Sequence, residues 1–425
     1  MGDRREVIVT SDTSGILWTV CMWDSQTGTA LMNYKGGGTT NMHCLSFVGN
    51  DYLLCAEKLK PLIHVWPLNS QEISKSIERI VTPGCVSALC VSPTNEYCVI
   101  AVSEKIYIWD LLRGQLLHVT TRHFRAISCV KFTDDGSHFI SGGQDGMVIV
   151  WPLAYLVSCN ASELLPLMEA GQPEPRYTFS DHSLPVTDLY VGHGGCQALI
   201  ASVSGDHTCK IYSISDGILL LSVVFNCALS AVTMSVNELE VFVGTVSGEI
   251  YSFDMQRMPR TQDYHVTKEE MSRKYIGHTK SVTSLSTSLD GFRLVSGSAD
   301  EKVIIWDIKS KQCMKILQHK GPVSNALFAL HANQISSSNF KPSTVIRSFK
   351  KGTEGTECIR YIRKDGFMEK EIQPTSIIKN MSEMVQADQS HSQDELEINI
   401  IQLKEINNKL YKFAVNKLLT NTSRM

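Results

Sequence analysis

Several things are missing from this 425-residue chain, and each absence removes a class of function. An excess of one charge is missing: 40 Lys and Arg stand against 43 Asp and Glu, a formal net charge of −3. No global basic field therefore points to nucleic acid, although a local basic patch would not show in the sum. Long apolar runs are missing too. The longest, around residues 218–225, falls far short of the ~20 residues that cross a bilayer. The opening Met1-Gly2-Asp3-Arg4-Arg5-Glu6 is charged where a signal peptide would be apolar, and Glu6 stands where a myristoylation pattern needs Ser or Thr. A soluble, intracellular protein with no membrane partner is expected. None of the thirteen cysteines forms a C-x-x-C pair or groups with histidines at zinc spacing. Cys90, Cys98 and Cys129 fall at apolar positions, so reduced, buried thiols are expected. Gly36-Gly37-Gly38-Thr39-Thr40 lacks the lysine of a phosphate-binding loop, and Gly192-His193-Gly194-Gly195 opens no helix. No cofactor, no metal and no enzymatic activity are expected.

What is present is a repeat. Aromatic residues end short β-branched runs at Trp23, Trp66, Trp109, Trp151, Tyr212, Phe253 and Trp306, with gaps of 43, 43, 42, 61, 41 and 53 residues. Four of the six gaps match the ~40–45-residue period of propeller blades. Aspartate follows at Asp24, Asp110, Asp254 and Asp307 and is replaced at Pro67, Pro152 and Ser213. The spacing predicts an all-β, seven-bladed β-propeller of the WD-repeat type with four short strands per blade. In the last blade these are 281–286, 293–297, 302–307 and 313–317, with turns at Asp290-Gly291 and at 299–301.

Three repeats carry a deeper rule. Before Trp306 stand Asp300, Ser296 and His278, at offsets of 6, 10 and 28 residues; Asp145, Ser141 and His123 precede Trp151 at the same offsets. Tyr212 follows Asp206 and Ser202 by 6 and 10 residues and His182 by 30. A buried polar chain accounts for the pattern. The aspartate accepts from the imidazole and from backbone N–H groups, the imidazole reaches the serine, and the hydroxyl reaches the indole. A Ser, a His and an Asp also suggest a hydrolase triad, but a catalytic set occurs once, whereas this one recurs at repeat spacing on mid-strand serines.

Only three strands precede Tyr34, at 7–10, 17–23 and 30–34. The segment 322–328 reads as an innermost strand that inserts into the first blade and closes the ring. A weaker strand pair around Ile335 and Val345 would make a partial eighth blade; seven is the expected number. Two long gaps hold insertions, about 154–175 and 255–272, both between third and fourth strands. They are expected to emerge on one face as binding loops or loop padding. The second carries Lys268, Glu269, Glu270 and Arg273, compatible with a short helix.

The propeller is expected over residues 1–349, a partly flexible linker over 350–394, and a C-terminal helix over 395–420. Segment 341–370 has eight basic and four acidic residues, with Tyr361 and Phe367 interleaved. It reads as a solvated linker; contact with RNA or an acidic partner is the other reading. Leu396, Ile400, Leu403 and Leu410 fall on one helical seam with Asn407 at a core position. That spacing suggests a short coiled coil for self-association, or a helix packed on the propeller.

Beyond the repeat, four stretches resemble the WD repeat-containing protein 18 family. They are Thr121-Arg122-His123-Phe124 with His138-Phe139-Ile140-Ser141-Gly142-Gly143; His182-Ser183-Leu184-Pro185-Val186-Thr187-Asp188-Leu189; Leu220-Leu221-Ser222-Val223 with Ala231-Val232-Thr233-Met234; and Ser310-Lys311-Gln312-Cys313 with Lys320-Gly321-Pro322-Val323. The resemblance runs to about Pro342. It implies a nuclear and nucleolar scaffold subunit of the rixosome, the assembly that matures pre-60S particles and supports removal of the second internal transcribed spacer from pre-rRNA. A helical-repeat scaffold protein and the other rixosome subunits would be its partners, with a homodimer through the C-terminal helix. Direct RNA contact is left open. A WD-repeat adaptor elsewhere, such as a ubiquitin-ligase substrate receptor or a chromatin-associated module, is the alternative.

Overall fold

The computed structural model describes residues 6–74, 77, 79–158, 174–256, 263–266, 274–330 and 344–350. Seven sheets form around a central axis, each a blade whose own four strands run antiparallel. Blade 1 holds β1 (Glu6–Asp12), β2 (Val20–Asp24) and β3 (Ala30–Tyr34). Blade 2 holds β4 (Thr40–Val48), β5 (Tyr52–Glu57), β6 (Leu62–Pro67) and β7 (Ile80–Val81); blade 3 holds β8 (Ala88–Val91), β9 (Tyr97–Val102), β10 (Lys105–Asp110) and β11 (Leu116–Thr120). Blade 4 is β12 (Ile127–Phe132), β13 (His138–Gly143), β14 (Val148–Pro152) and β15 (Tyr177–Phe179); a short helix, α1 (Leu153–Ser158), follows β14. Blade 5 is β16 (Val186–Val191), β17 (Leu199–Ser204), β18 (Thr208–Ser213) and β19 (Ile218–Val224). Blade 6 is β20 (Leu229–Met234), β21 (Glu240–Thr245), β22 (Ile250–Asp254) and, after the three-residue β23 (Asp263–His265), β24 (Lys274–Tyr275). Blade 7 is β25 (Val282–Thr287), β26 (Arg293–Ser298), β27 (Lys302–Asp307) and β28 (Cys313–Gln318).

The missing first strand of blade 1 is β29 (Val323–Leu330), which pairs antiparallel with β1 from Glu6↔Leu330 to Ser11↔Asn325. The two ends of the described propeller thus share one sheet, and the ring has no open blade. Ser11 Oγ and Ser324 Oγ lie 2.8 Å apart, and Asn325 Nδ2 donates to Asn41 O of blade 2 at 2.9 Å, so the closing strand is also tied to the next blade.

Core residues collect between blades rather than within them. Ile8, Val323 and Ala326 of blade 1 pack with Val295, Val303, Ile305 and Leu317 of blade 7, and six similar clusters fill the other junctions. Close approach requires a small residue on the second strand. A Cβ on Gly297 would meet Val323 Cγ1 at 2.8 Å, so a larger residue there would push the closing strand off blade 7. The β-branched content of these strands suits such two-sided burial.

Strand alternation gives the ring two ends. The loops between first and second and between third and fourth strands share the lower face; the second-to-third loops and the blade-to-blade connections share the upper face. Both insertions join a third strand to a fourth and begin on the lower face, but the second does not stay there. Its β23 pairs parallel with β19 of blade 5, from Ser222↔Asp263 to Val224↔His265, giving that blade a fifth strand. The expected helix around Lys268 lies outside the described residues.

Residues 344–350 correct two expectations. Val345 lies in no strand, so it makes no eighth-blade pair, and Ile335 lies outside the described residues. Nor is this stretch a solvated linker. Ile346 is buried in the cluster between blades 2 and 3, and Phe349 stacks on Trp109 with ring centroids 4.6 Å apart and planes 6° apart. Arg347 N donates to Leu111 O at 3.1 Å, Lys350 N to Gly114 O at 2.7 Å, and Thr344 N to Asp51 Oδ2 at 2.7 Å. Gly114 has φ +68°, and a Cβ there would stand 2.1 Å from Ser348 O, so glycine leaves room for the strap. Replacing Phe349 with Ser should cost about 1–2 kcal/mol from lost partial burial. It should also remove hydrogen-exchange protection at the Arg347 and Lys350 amides while leaving the blade cores protected. Rapid exchange of these two amides in the unsubstituted protein would show that the strap is not docked.

Candidate functional site

The polar groups singled out by spacing come together in blades 4, 5 and 7. In blade 4, His123 lies in the connection before β12, Ser141 in β13, Asp145 in the following turn and Trp151 in β14. His123 Nδ1 is 3.0 Å from Asp145 Oδ2, His123 Nε2 is 2.8 Å from Ser141 Oγ, and Trp151 Nε1 donates to that same oxygen at 2.9 Å. Blade 7 repeats the set: His278 Nδ1 to Asp300 Oδ2 at 3.1 Å, His278 Nε2 to Ser296 Oγ at 2.7 Å, and Trp306 Nε1 to Ser296 Oγ at 2.8 Å. A carboxylate has no proton to give, so Nδ1 carries the imidazole proton and Nε2 accepts from the serine hydroxyl. The serine oxygen then accepts from the indole, and every buried group has its partner.

Blade 5 departs from the pattern at its last member. His182 Nδ1 lies 2.9 Å from Asp206 Oδ2 and Nε2 lies 2.6 Å from Ser202 Oγ, but the buried Tyr212 hydroxyl stands near Ser202 and Asp181 without a well-formed hydrogen bond to either. A phenol carries its O–H at the ring tip, whereas an indole carries its N–H on the flank, so Tyr212 fills the volume but does not aim its O–H at the serine as the indoles do. Thr208 Oγ1 donates to Asp206 Oδ1 at 2.6 Å and adds a partner of its own.

Each aspartate also pins the upper-face connection. Phe124 N donates to Asp145 at 2.9 Å, Ser183 N to Asp206 at 3.1 Å, and Thr279 N to Asp300 at 3.0 Å. Burial alone would push these carboxyls up. For Asp145 and Asp206 the histidine contact is the largest opposing cause, and for Asp300 it is the Thr279 N–H; all three are held below the usual carboxylate range. Burial also lowers His278, which favours the neutral ring that the network requires, against the opposing pull of Asp300.

A fourth set, missed by fixed offsets, lies where the chain ends meet. Trp23 Nε1 donates to Thr10 Oγ1 at 2.7 Å; Asp12 follows Thr10 on β1, and His319 precedes β29. His319 Nδ1 stands 3.6 Å from Asp12 Oδ2, and its ring meets Trp18 and Trp23 edge-on. A local signal exists for it. His123, His182, His278 and His319 each stand four residues before the first residue of an innermost strand: Ile127, Val186, Val282 and Val323. Blade 6 replaces the polar set with Phe225 and Phe253, whose centroids lie 6.2 Å apart. Another unforeseen residue is His43, at φ +54° on a bulge in β4, which faces Asp188 of blade 5 at 3.6 Å in the central channel.

The chemistry open to these groups is narrow. Ser141, Ser202 and Ser296 are fully buried, so their hydroxyls have no path to a substrate. Among the described residues no three His, Cys, Asp or Glu side chains are grouped to hold a metal ion, and no helix is long and apolar enough to cross a membrane. Cys90, Cys98 and Cys129 are buried and burial pushes their thiols up, to about 12 for Cys90 and Cys129. The seam residues Leu396, Ile400, Leu403, Asn407 and Leu410 lie outside the described residues.

Comparison with known proteins fits this geometry. The family model "WD domain, G-beta repeat" matches residues 114–152, 173–213 and 269–307, which end on the third strands of the three blades carrying the His–Asp–Ser set. WD repeat-containing protein 18 of Mus musculus is 37% identical over 358 residues, covering 84% of this chain and 80% of its own length. The chain belongs to the WD repeat-containing protein 18 family. The Danio rerio member is 38% identical over 322 residues, 76% of this chain and 72% of that protein. A more distant relative, "Pre-rRNA-processing protein pro-1" of Caenorhabditis briggsae, is 26% identical over 414 residues, 94% of this chain and 71% of the relative. The similarity of this WD repeat-containing protein 18 family member to the nematode protein therefore extends past the described propeller.

Two outcomes test the networks. Trp306→Ala removes a buried aromatic and orphans Ser296, and should destabilise by ~3–5 kcal/mol; an unchanged melting temperature would count against the network. The pH dependence has a definite sign. Lowered carboxyl pKa values give stability that is present above the unfolded value near 4 and lost as pH falls through the folded values. The lowered His278 adds a loss beginning as pH falls below about 6.5, where the unfolded ring takes up a proton first. Stability should therefore decline from neutral pH toward pH 3, and below about pH 4 it should do so less steeply in Asp300→Asn; equal slopes there would remove Asp300 from the account.

Proposed function

We propose that this chain is a non-enzymatic scaffold subunit of a nuclear assembly that processes pre-rRNA and matures the large ribosomal subunit. The relative named for pre-rRNA processing carries this reading, because the likeness to it spans 94% of the chain. The propeller supports the scaffold part. Its recurrent His, Asp and Ser groups are spent on one another inside the blades, and what remains outside is a rigid ring of loops. The partners are a helical-repeat scaffold protein, the other rixosome subunits and pre-60S particles, met in the nucleolus and nucleoplasm.

The C-terminal region supplies self-association in this reading. Leu396, Ile400, Leu403 and Leu410 form the seam of a helix over 395–420, Asn407 sets its register, and residues 350–394 are the linker. Replacing Leu403 and Leu410 with Asp should halve the mass seen by light scattering without lowering the propeller's melting temperature. An unchanged mass would remove the coiled coil from the proposal. Depleting the protein should cause pre-rRNA that retains the second internal transcribed spacer to accumulate, and pre-60S particles should copurify with the full chain from nuclear extract. Normal precursor levels, or recovery of ubiquitin-ligase components alone, would overturn the assignment.

A further inference from the structure

The two faces of the ring differ in charge, and both expose apolar residues, but the most exposed of these stand on one face. On the upper face, large apolar side chains stand in solvent at the loop tips: Phe124 is 80% exposed, Ile16 and Leu59 are each 74% exposed, and Ile276 is 69% exposed. Leu184 and Val246 continue the series in blades 5 and 6. The exposed charges among these loops are mainly basic: Lys58, Lys60, Lys105, Arg125, Lys280 and Lys320, against Glu104 and Asp181. The lower face is mainly acidic, with Glu96, Asp134, Asp135, Asp216 and Asp290 exposed against Lys309, Arg347 and Lys350. A net charge of −3 for the whole chain hides this separation.

The apolar tips are held in place rather than left loose. Phe124 follows His123 and its own N–H is bonded to Asp145; Leu184 follows Ser183, whose N–H is bonded to Asp206; Ile276 precedes His278, whose ring is bonded to Asp300. The buried networks therefore pre-order the very residues that face water, which lowers the entropy a partner would have to remove on binding. Glu6, Gln256 and Leu330, which border undescribed segments, sit at or just past the lower ends of β1, β22 and β29, whereas Val266, just past β23, and Lys274, two residues before Ile276, border another undescribed segment toward the upper face.

We propose that the upper face is the docking surface for an acidic, amphipathic helical segment of a partner protein. Its apolar side would seat on Phe124, Leu184 and Ile276, and its carboxylates would meet the surrounding lysines and Arg125. Charge complementarity of this kind speeds encounter and sets orientation, while the apolar contacts hold the complex. RNA fits less well, since single strands stack on several aromatic side chains and Phe124 is alone among these exposed tips. The inference goes beyond the processing role proposed above and rests on the surface alone.

The test uses the full chain and a defined probe. The probe is a synthetic twenty-residue amphipathic helix with Leu and Phe on one side and Glu on the other, followed by fluorescence anisotropy. Saturable binding is expected, weakening with added salt. The pair Phe124→Ser and Ile276→Ser should weaken it at least tenfold, as should the pair Lys58→Glu and Lys60→Glu, with melting temperatures checked for each. Glu96→Lys on the lower face should leave it unchanged, and a scrambled peptide of equal composition should bind at least tenfold more weakly. Absence of saturable binding, equal loss from the lower-face variant, or displacement of the peptide by oligouridine RNA at comparable concentration would overturn the proposal. None of these outcomes bears on pre-rRNA levels, so the functional reading stands or falls separately.

Discussion

The pairing of β29 with β1 is the contact on which the other blades depend, because the core of this protein lies between blades and not inside them. Each four-stranded sheet exposes two apolar faces and can cover them only with its neighbours. In an open array the two terminal blades would each leave one face in water. Here Val323 and Ala326 close the last junction by packing with Val295, Val303 and Ile305, and they do so from a strand hydrogen-bonded to the first residues of the propeller. Stability in such a ring is shared among adjacent units, much as in other repeat architectures, but closure makes the chain ends part of the cooperative unit. Glu6 illustrates the point: Ser288 Oγ and Leu289 N of blade 7 both donate to its carboxylate, so a charge at one end of the propeller caps a turn near the other.

The polar networks solve a narrower problem than burial. A propeller blade places a large aromatic side chain at the end of its third strand, and tryptophan brings an N–H that must be paired when buried. Blades 1, 4 and 7 pair it with a Thr or Ser hydroxyl, and in blades 4 and 7 that hydroxyl is in turn oriented by a histidine and an aspartate. The other blades show that this is one solution among several. Trp66 donates to Lys35 O at 3.0 Å, Phe253 has no donor to satisfy, and the Trp109 N–H stays buried without a partner while Phe349 covers its ring. The blades matched by the repeat-family model are the ones with the full His–Asp–Ser set, so the recognisable sequence signature tracks the polar network more than the fold itself.

That distinction explains how much could be read in advance. The seven-blade count, the closing strand and three polar sets were legible because aromatic residues and polar offsets recur along one continuous stretch. The blade 1 set was not, since closure assigns His319 to the same site as Asp12 although they lie at opposite ends of the propeller. The histidine's position four residues before Val323 was the only local trace. The strap at Ile346 and Phe349 has no period at all, and within a basic, polar stretch its three apolar residues do not stand out. Nor could the sequence show that β23 leaves its own blade, because a three-residue strand with parallel pairing carries no turn signal. The Tyr212 exception has a different origin: residue type was visible, but the position of its hydroxyl relative to Ser202 depends on ring geometry.

These local differences give the ring a direction. The strap and the first steps of both insertions occupy the lower face, so the chain has already used part of that surface for itself. On the upper face the aspartates that complete the polar sets also fix the backbone beside the most exposed apolar residues. A buried network and an exposed docking residue are then two ends of one hydrogen-bonded unit, and a change in either is felt by the other. Loss of Asp145, for example, frees both the His123 ring inside the blade and the Phe124 amide at the surface. The same carboxylate that makes the blade rigid determines where Phe124 points, which ties the fold's most repeated structural device to the surface best suited to recognition.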